Sequence, residues 1–286
     1  FMAEGGRFAI SAGRALAAFE KYAPLVPMNA PGVICNGAAL YDFAKQEYLV
    51  SALLDENARQ RGQLVLDRFP EAAVEAACAL HVSRDETMAK YHCFWMLVRM
   101  WYRLNRPLSW GDRVTIRTWH RGARGASTYR DFDLYVEGKL VGEAVSTWVL
   151  ADADTHRIFR MSRVDEFQGT DGGELCKSRT LSGLHLPAHM EHVESRALHY
   201  SDTDVNGHVN NVRYVDFICD ALHMENLGPE RYVSSLQVGY LAECRAGETI
   251  RLSTGCENGT WYVQGDGEEG KPRFDAALTM SPLDKP

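Results

Sequence analysis

The chain has 286 residues, 45 % of them hydrophobic and 24 % charged, with a formal net charge of -7. That balance excludes a collagen-like, disordered or disulfide-scaffold chain and argues against a dedicated nucleic-acid binder. No run approaches the ~20 uninterrupted apolar residues of a membrane span, and at roughly 150 residues per domain the length points to about two domains.

In chain order, the pair Asn36-Gly37 opens a helical pattern over 35–54, CNGAALYDFAKQEYLVSALL. Its wide apolar face carries Leu40, Phe43, Ala44, Tyr48, Leu53 and Leu54. A further helical stretch around Pro70 to His81 reads as an insert. Strand-like runs rich in β-branched and aromatic residues follow: CFWMLVRMWYRL, RVTIRTWH, STYRDFDLYV, a Glu137-Gly138-Lys139 turn, and LVGEAVSTWVLAD. A Gly-, Ser- and Thr-rich stretch without periodicity comes next and is read as a linker over 166–188, between domains 1–165 and 189–286.

The second domain repeats the first pattern. VNGHVNNVRYVDFICDAL places Val212, Val215, Ile218, Cys219 and Leu222 at three- and four-residue spacing, an amphipathic helix. VSSLQVGYLAEC, ETIRLSTG, TWYVQGDG and RFDAALTM then read as strands. Each half is thus a long helix plus antiparallel strands, an α+β pattern in which a sheet wraps one central helix. Aligning the two Asn-Gly pairs sets Asp204, Val205, Asn206, Gly207 and His208 against Ile34, Cys35, Asn36, Gly37 and Ala38. On that alignment only the second copy keeps the acid and the imidazole, so the chain is expected to hold one site.

In an extended segment Asp204, Asn206 and His208 share one face. A helix starting near His208 would add amides without intrahelical partners and the positive end of its dipole, and Gly207 would let a ligand approach the backbone. A carboxylate, a carboxamide, an imidazole and polarising amides together suit attack on an acyl group. The bland alternative is that Asp and Asn only cap the helix. Downstream, Glu243 and Cys244 close a strand before the turn at Gly247, where the first could be a general base and the second a nucleophile.

No HExxH or Cys-His zinc spacing, GxGxxG after a strand, Walker loop or GxSxG elbow occurs, so neither a metal nor a nucleotide cofactor is expected. Seven cysteines without CxxC spacing read as reduced thiols, which points to the cytoplasm. Eight arginines and one acid, Asp112, lie from Arg99 to Arg130, a local basic field that could dock an acidic partner.

At SDTDVNGHVNNVRYVDF, with the Glu243-Cys244 pair downstream and VSTWVLADADTHRIFR closing the first half, the sequence resembles the acyl-acyl carrier protein thioesterases over most of its length. The resemblance implies two tandem hotdog domains. It carries the family's catalytic set onto Asp204, Asn206, His208, Glu243 and Cys244, beside substrate-binding positions at Gly207 and Val209. It implies hydrolysis of a fatty acyl thioester on the 4'-phosphopantetheine arm of acyl carrier protein, with the acyl chain entering the first half. The mechanism expected on these residues is water attack, with Glu243 or Asp204 taking the proton, Asn206 and His208 orienting, and amides near His208 holding the thioester oxygen. Cys244 as nucleophile with His208 as its base is the rival scheme. The acidic carrier protein gives Arg117, Arg121, Arg124 and Arg130 a docking role. Hydrolysis of acyl-coenzyme A, a hotdog dehydratase and a non-catalytic acyl-binding protein are the competing functions. A fused pair of domains is expected as a monomer or homodimer, with neither nucleic acid nor membrane as partner.

Overall fold

The computed structural model describes residues 32–34, 39–42, 47–51, 68–109, 112–164, 181–204, 207–226 and 230–283. It divides into two compact units, 1–58 and 59–286. In the first, β1 (Gly32–Ile34), β2 (Ala39–Asp42) and β3 (Glu47–Ser51) form an antiparallel sheet. The helix expected over 35–54 is therefore corrected: its described residues 39–42 and 47–51 are strands. EYLVS is rich in β-formers, and with apolar residues this dense a helical stripe and a strand alternation are hard to tell apart.

The second unit opens with α1 (Arg68–Ala79) and α2 (Arg84–Tyr91). Ser83 caps α2, its hydroxyl accepting from the Glu86 amide while the Glu86 carboxylate accepts from the Ser83 amide, a reciprocal capping box. Four long strands follow: β4 (Cys93–Leu104), β5 (Val114–Arg124), β6 (Ser127–Val136) and β7 (Lys139–Asp152). The Glu137-Gly138 turn joins β6 to β7 with both residues at positive φ (50° and 74°), as a tight two-residue hairpin requires. A two-stranded return through β8 (Ile158–Phe159) closes this half.

The second half comprises β9 (Glu191–Ala197), α3 (Arg213–Ala221), β10 (Arg231–Tyr240), β11 (Thr249–Glu257), β12 (Thr260–Asp266) and β13 (Pro272–Pro282). All the long strands join one antiparallel sheet in the order β5-β6-β7-β4-β10-β13-β12-β11-β9. The seam between halves is β4 against β10, with Tyr102 opposite Leu236 and Arg99 opposite Gly239.

Each half-sheet curves round one helix. α1, the stretch that reads as an insert, is the helix of the first half: Phe69 lies on Phe132 of β6, ring centroids 4.9 Å apart, and Ala73 is buried beside it. The expected stripe on α3 is buried as drawn, with Val215 at 2 % and Ile218 at 0 % exposure, and Cys219 and Leu222 packed at its margin. Burying a side chain of that size contributes about 1.5–3 kcal/mol. The helices are shorter than expected, 12 and nine residues. One buried cluster runs from Phe69, Met100 and Phe132 through Leu236 to Phe217 and Phe274, so the halves share a core. Of the residues read as linker, Leu181 is buried on Trp101 and Val145, and the Ser182 carbonyl accepts from the Gln237 side chain at 3.0 Å.

Candidate functional site

Asp204 and His208 are joined to each other by a backbone bond rather than spaced along an extended segment. The Asp204 amide donates to the His208 carbonyl at 2.8 Å, and the Gly207 amide to the Asp204 carbonyl at 3.0 Å. Gly207, at φ 75°, takes a left-handed conformation open to glycine without strain. The alternation argument therefore fails, yet Asp204 and His208 still meet, because that bond joins them and both line the same cleft. Asn206 lies outside the described residues.

α3 begins at Arg213, not near His208. Several amides of this stretch are also engaged: Val209 donates to Cys244 O at 2.8 Å, Asn210 to Asp202 O at 2.9 Å, Val212 to Asn210 Oδ1 at 3.1 Å and Arg213 to Asn210 O at 2.8 Å. Helix-start amides beside His208, expected to hold a thioester oxygen, are thus corrected. The local fold is held instead by Asp202, buried at 4 % exposure and ion-paired with Arg213 at 2.9 Å. Burial works against the Asp202 carboxylate, but bonds from the His199 amide and Arg213 keep its pKa below the usual carboxylate value.

β10 ends at Tyr240, and Leu241 and Ala242 both donate to the Arg273 carbonyl. The chain then turns so that His208 and Arg245 pair as a short bridge. Glu243 Oε2 lies 3.2 Å from His208 Nε2, and Arg245 Nη2 approaches the same nitrogen at 3.2 Å. These partners need opposite states of Nε2. Unprotonated, it accepts from Arg245; protonated, it donates to Glu243. Nε2 is thus placed to act as a proton acceptor, with the Glu243 carboxylate positioned to accept the resulting N–H.

Cys244 points the other way. Its side chain is fully buried and does not line the cleft. Burial pushes its thiol pKa up, against the opposing influence of the Tyr214 hydroxyl and Arg273. A thiol held protonated and away from the cleft is poorly placed as a nucleophile, so the rival covalent scheme finds no support in the geometry.

The cleft has a volume of 660 Å³, with Asp204, His208, Glu243 and Arg245 on one side and Trp95 and Trp148 on another. Val209, though only 4 % exposed, reaches its wall. Arg84, Trp95 and Trp148 also line a second cavity of 210 Å³ between α1 and the first half-sheet. Sequence reasoning missed Arg245, Asn211 and Tyr240. Arg245 had a signal, since it stands two residues from Glu243 in the same short segment. Tyr240 did not: its hydroxyl donates to the Asn211 carbonyl at 3.2 Å only because the fold brings β10 to α3. Trp95 and Trp148, from two of the strand-like runs, are cleft walls.

The four expected docking arginines separate. Arg117 and Arg124 are exposed on β5, at the end of the sheet order. The Arg121 side chain is 11 % exposed and ion-paired with Asp131 at 3.3 Å. Arg130 is buried at 7 % exposure, so its docking role is corrected: its position on β6 turns it inward. Among the described residues no group of three or more His, Cys, Asp or Glu side chains could hold a metal, and no helix is long and apolar enough to cross a membrane.

Two half-sheets fused edge to edge, each wrapping one helix, with an imidazole–carboxylate pair on a cleft that adjoins a second cavity, define a double hotdog protein. The chain matches the family models for the acyl-ACP thioesterase N-terminal domain over residues 44–167 and C-terminal domain over 188–277, and it belongs to that family. It is 28 % identical over 180 residues to the chloroplastic oleoyl-acyl carrier protein thioesterase 1 of Arabidopsis thaliana, covering 57 % of this chain and 48 % of that protein. To the dodecanoyl-[acyl-carrier-protein] hydrolase of Cinnamomum camphora it is 24 % identical over 213 residues, covering 68 % and 54 %. The chain thus spans about half the length of these curated relatives. Among solved structures, an acyl-ACP thioesterase from Bacteroides thetaiotaomicron superposes with a TM-score of 0.71 at 19 % identity, over 80 % of this chain and 93 % of that one. The 12:0-ACP thioesterase of Umbellularia californica gives 0.63 at 22 % identity, over 77 % and 89 %. Both show the same fold.

Proposed function

We propose that this chain hydrolyses fatty acyl thioesters carried on the phosphopantetheine arm of an acyl carrier protein, releasing the free acid and the thiol. The observation that carries this reading is the His208–Glu243–Arg245 trio, with Asp204 on the same cleft, opening toward a chamber able to take an acyl chain. Water attacks the thioester carbon, forming a C–O bond. The His208–Glu243 pair takes its proton, Nε2 exchanging its acceptor bond from Arg245 for a donor bond to Glu243. As the C–S bond breaks, that proton passes to the departing sulfur. Arg245, freed from Nε2, remains as a cation beside the developing oxyanion.

Membership of the family supports this chemistry, and the names of the relatives supply the substrate class. The family is also the reason to prefer a carrier protein over coenzyme A. A reducing compartment such as the cytoplasm suits it, since the seven cysteines show no CxxC spacing and read as reduced thiols.

The test is thiol release from C8 to C18 acyl carrier protein thioesters with matched coenzyme A substrates. Glu243→Gln and His208→Ala should each lower kcat by about 10²–10⁴-fold, the usual contribution of general acid–base catalysis. Asn206→Ala and Asp204→Asn measure what those two residues add. No release by folded wild type from any of these thioesters would leave an acyl-binding protein.

A further inference from the structure

The chamber in the first half ends on a charge. Thr128, Arg130 and Phe132 alternate onto the inner side of β6, the side that faces α1. Phe132 meets Phe69 there, while Arg130 sits one pair nearer the hairpin, opposite His120 of β5 and Ser146 of β7. His120, Thr128 and Arg130 are 6 %, 4 % and 7 % exposed, and all three line the 210 Å³ cavity.

His120 Nε2 and Thr128 Oγ1 share a hydrogen bond, and Thr128 also donates to the Gly122 carbonyl at 3.3 Å. Arg130 is different. Its side chain reaches only the Thr118 hydroxyl, Nη1 to Oγ1 at 3.4 Å, a long contact for a group with five N–H donors. Among the described residues no carboxylate forms an ion pair with it. Asp131 and Asp133 alternate to the outer side of β6, where Asp131 pairs with Arg121. Burial without a counter-charge draws the Arg130 pKa down to about 10. A guanidinium removed from water is costly unless an anion or strong acceptor completes it. The cavity is lined as well by Ala73, Ala77, Val82, Trp95 and Trp148, with Ser83, Arg84 and Tyr129 also reaching it. The two tryptophans also line the catalytic cleft, so the cleft and this cavity adjoin.

We infer that Arg130, with His120 and Thr128, forms a polar floor that selects acyl chains by the chemistry of their far end, favouring one that ends in an oxygen acceptor, a carboxylate above all. This rests on the thioesterase reading. A methyl end would press against an unpaired guanidinium and leave it dry; a carboxylate would accept from its fork of N–H groups.

The experiment compares octanoyl, 8-hydroxyoctanoyl and 7-carboxyheptanoyl thioesters of acyl carrier protein on wild type, Arg130→Met and Arg130→Lys. Wild type should favour the carboxylated chain over octanoyl by at least tenfold in kcat/KM. Arg130→Met should cut that ratio at least tenfold, and Arg130→Lys should restore part of it. A ratio that moves only for the hydroxylated chain would keep the polar floor but make its ligand a neutral acceptor. An unchanged ratio in folded Arg130→Met, or a wild type that favours octanoyl, overturns the inference. Calorimetric titration with monomethyl suberate and methyl octanoate reads the same preference without turnover. If wild type releases no thiol at all, the thioesterase reading fails while the titration still decides the floor.

Discussion

Cys244 and Glu243 are adjacent in the chain, yet only the carboxylate meets the cleft. The bridge between His208 and Arg245 turns alternate side chains to opposite sides, so the thiol goes to the core beside Tyr214. Cys244→Ala should therefore keep kcat within about tenfold of wild type, well short of the loss expected for a general base or nucleophile. It should lower the urea midpoint by an amount worth about 1 kcal/mol, as loss of one small buried group does. Asp131 is the other telling residue. Burial raises its pKa to about 7, Arg121 opposes this, and Asp133 and Glu143 add to it. The native state then holds a proton that the unfolded chain releases near its usual ~3.9. Stability consequently falls as pH rises between about 4 and 7 and levels above that. Asp131→Asn should gain on wild type across this range, read as urea midpoints at about pH 4.5 and about pH 7.5.

Among the elements, α1 and the β4–β10 seam decide the architecture. The Asn-Gly echo pointed to residues 35–54 as the first helix, but Asn-Gly pairs serve turns as readily as helix starts. α1 lacks that signal and declares itself only through Phe69 and Ala73 packing on the sheet. The proposed loss of Asp and His at Ile34 and Ala38 therefore compares unrelated segments: Ile34 ends strand β1, and Ala38 lies outside the described residues. At the seam, Gly239 stands between Arg99 of β4 and Asp275 of β13. A Cβ at Gly239 would collide with the Asp275 carboxylate. Gly239→Ala should cost about 1–3 kcal/mol, as overpacking does, measured by denaturant unfolding.

Over the whole molecule, a net charge of -7 coexists with a basic strand at the end of the sheet order. Arg117 and Arg124 stay exposed while Arg121 and Arg130 are taken up inside, so two of the four expected docking arginines are available to an acidic partner. Arg117→Glu with Arg124→Glu should raise KM for acyl carrier protein substrates several-fold at low salt and leave kcat unchanged. The gap should close at high ionic strength, because exposed charges are screened over about 10 Å at 0.1 M salt. A KM indifferent to both charge reversal and salt would remove this face from the docking surface.

Legible in the linear sequence were the strand runs, the Glu137-Gly138 hairpin, the α3 stripe, and the occurrence of Asp204 and His208 together with a later acid, Glu243. Each depends on local periodicity or on motif spacing, which a linear chain carries in full. Only tertiary structure decided that α1 is a central helix, that Arg245 meets His208, that Cys244 is buried, and that Arg130 lines a chamber rather than the surface. Those outcomes follow from which strand lies beside which, and from which face of a curved sheet is enclosed. Long-range pairing sets both, and the pairing of β4 with β10 joins residues more than a hundred positions apart.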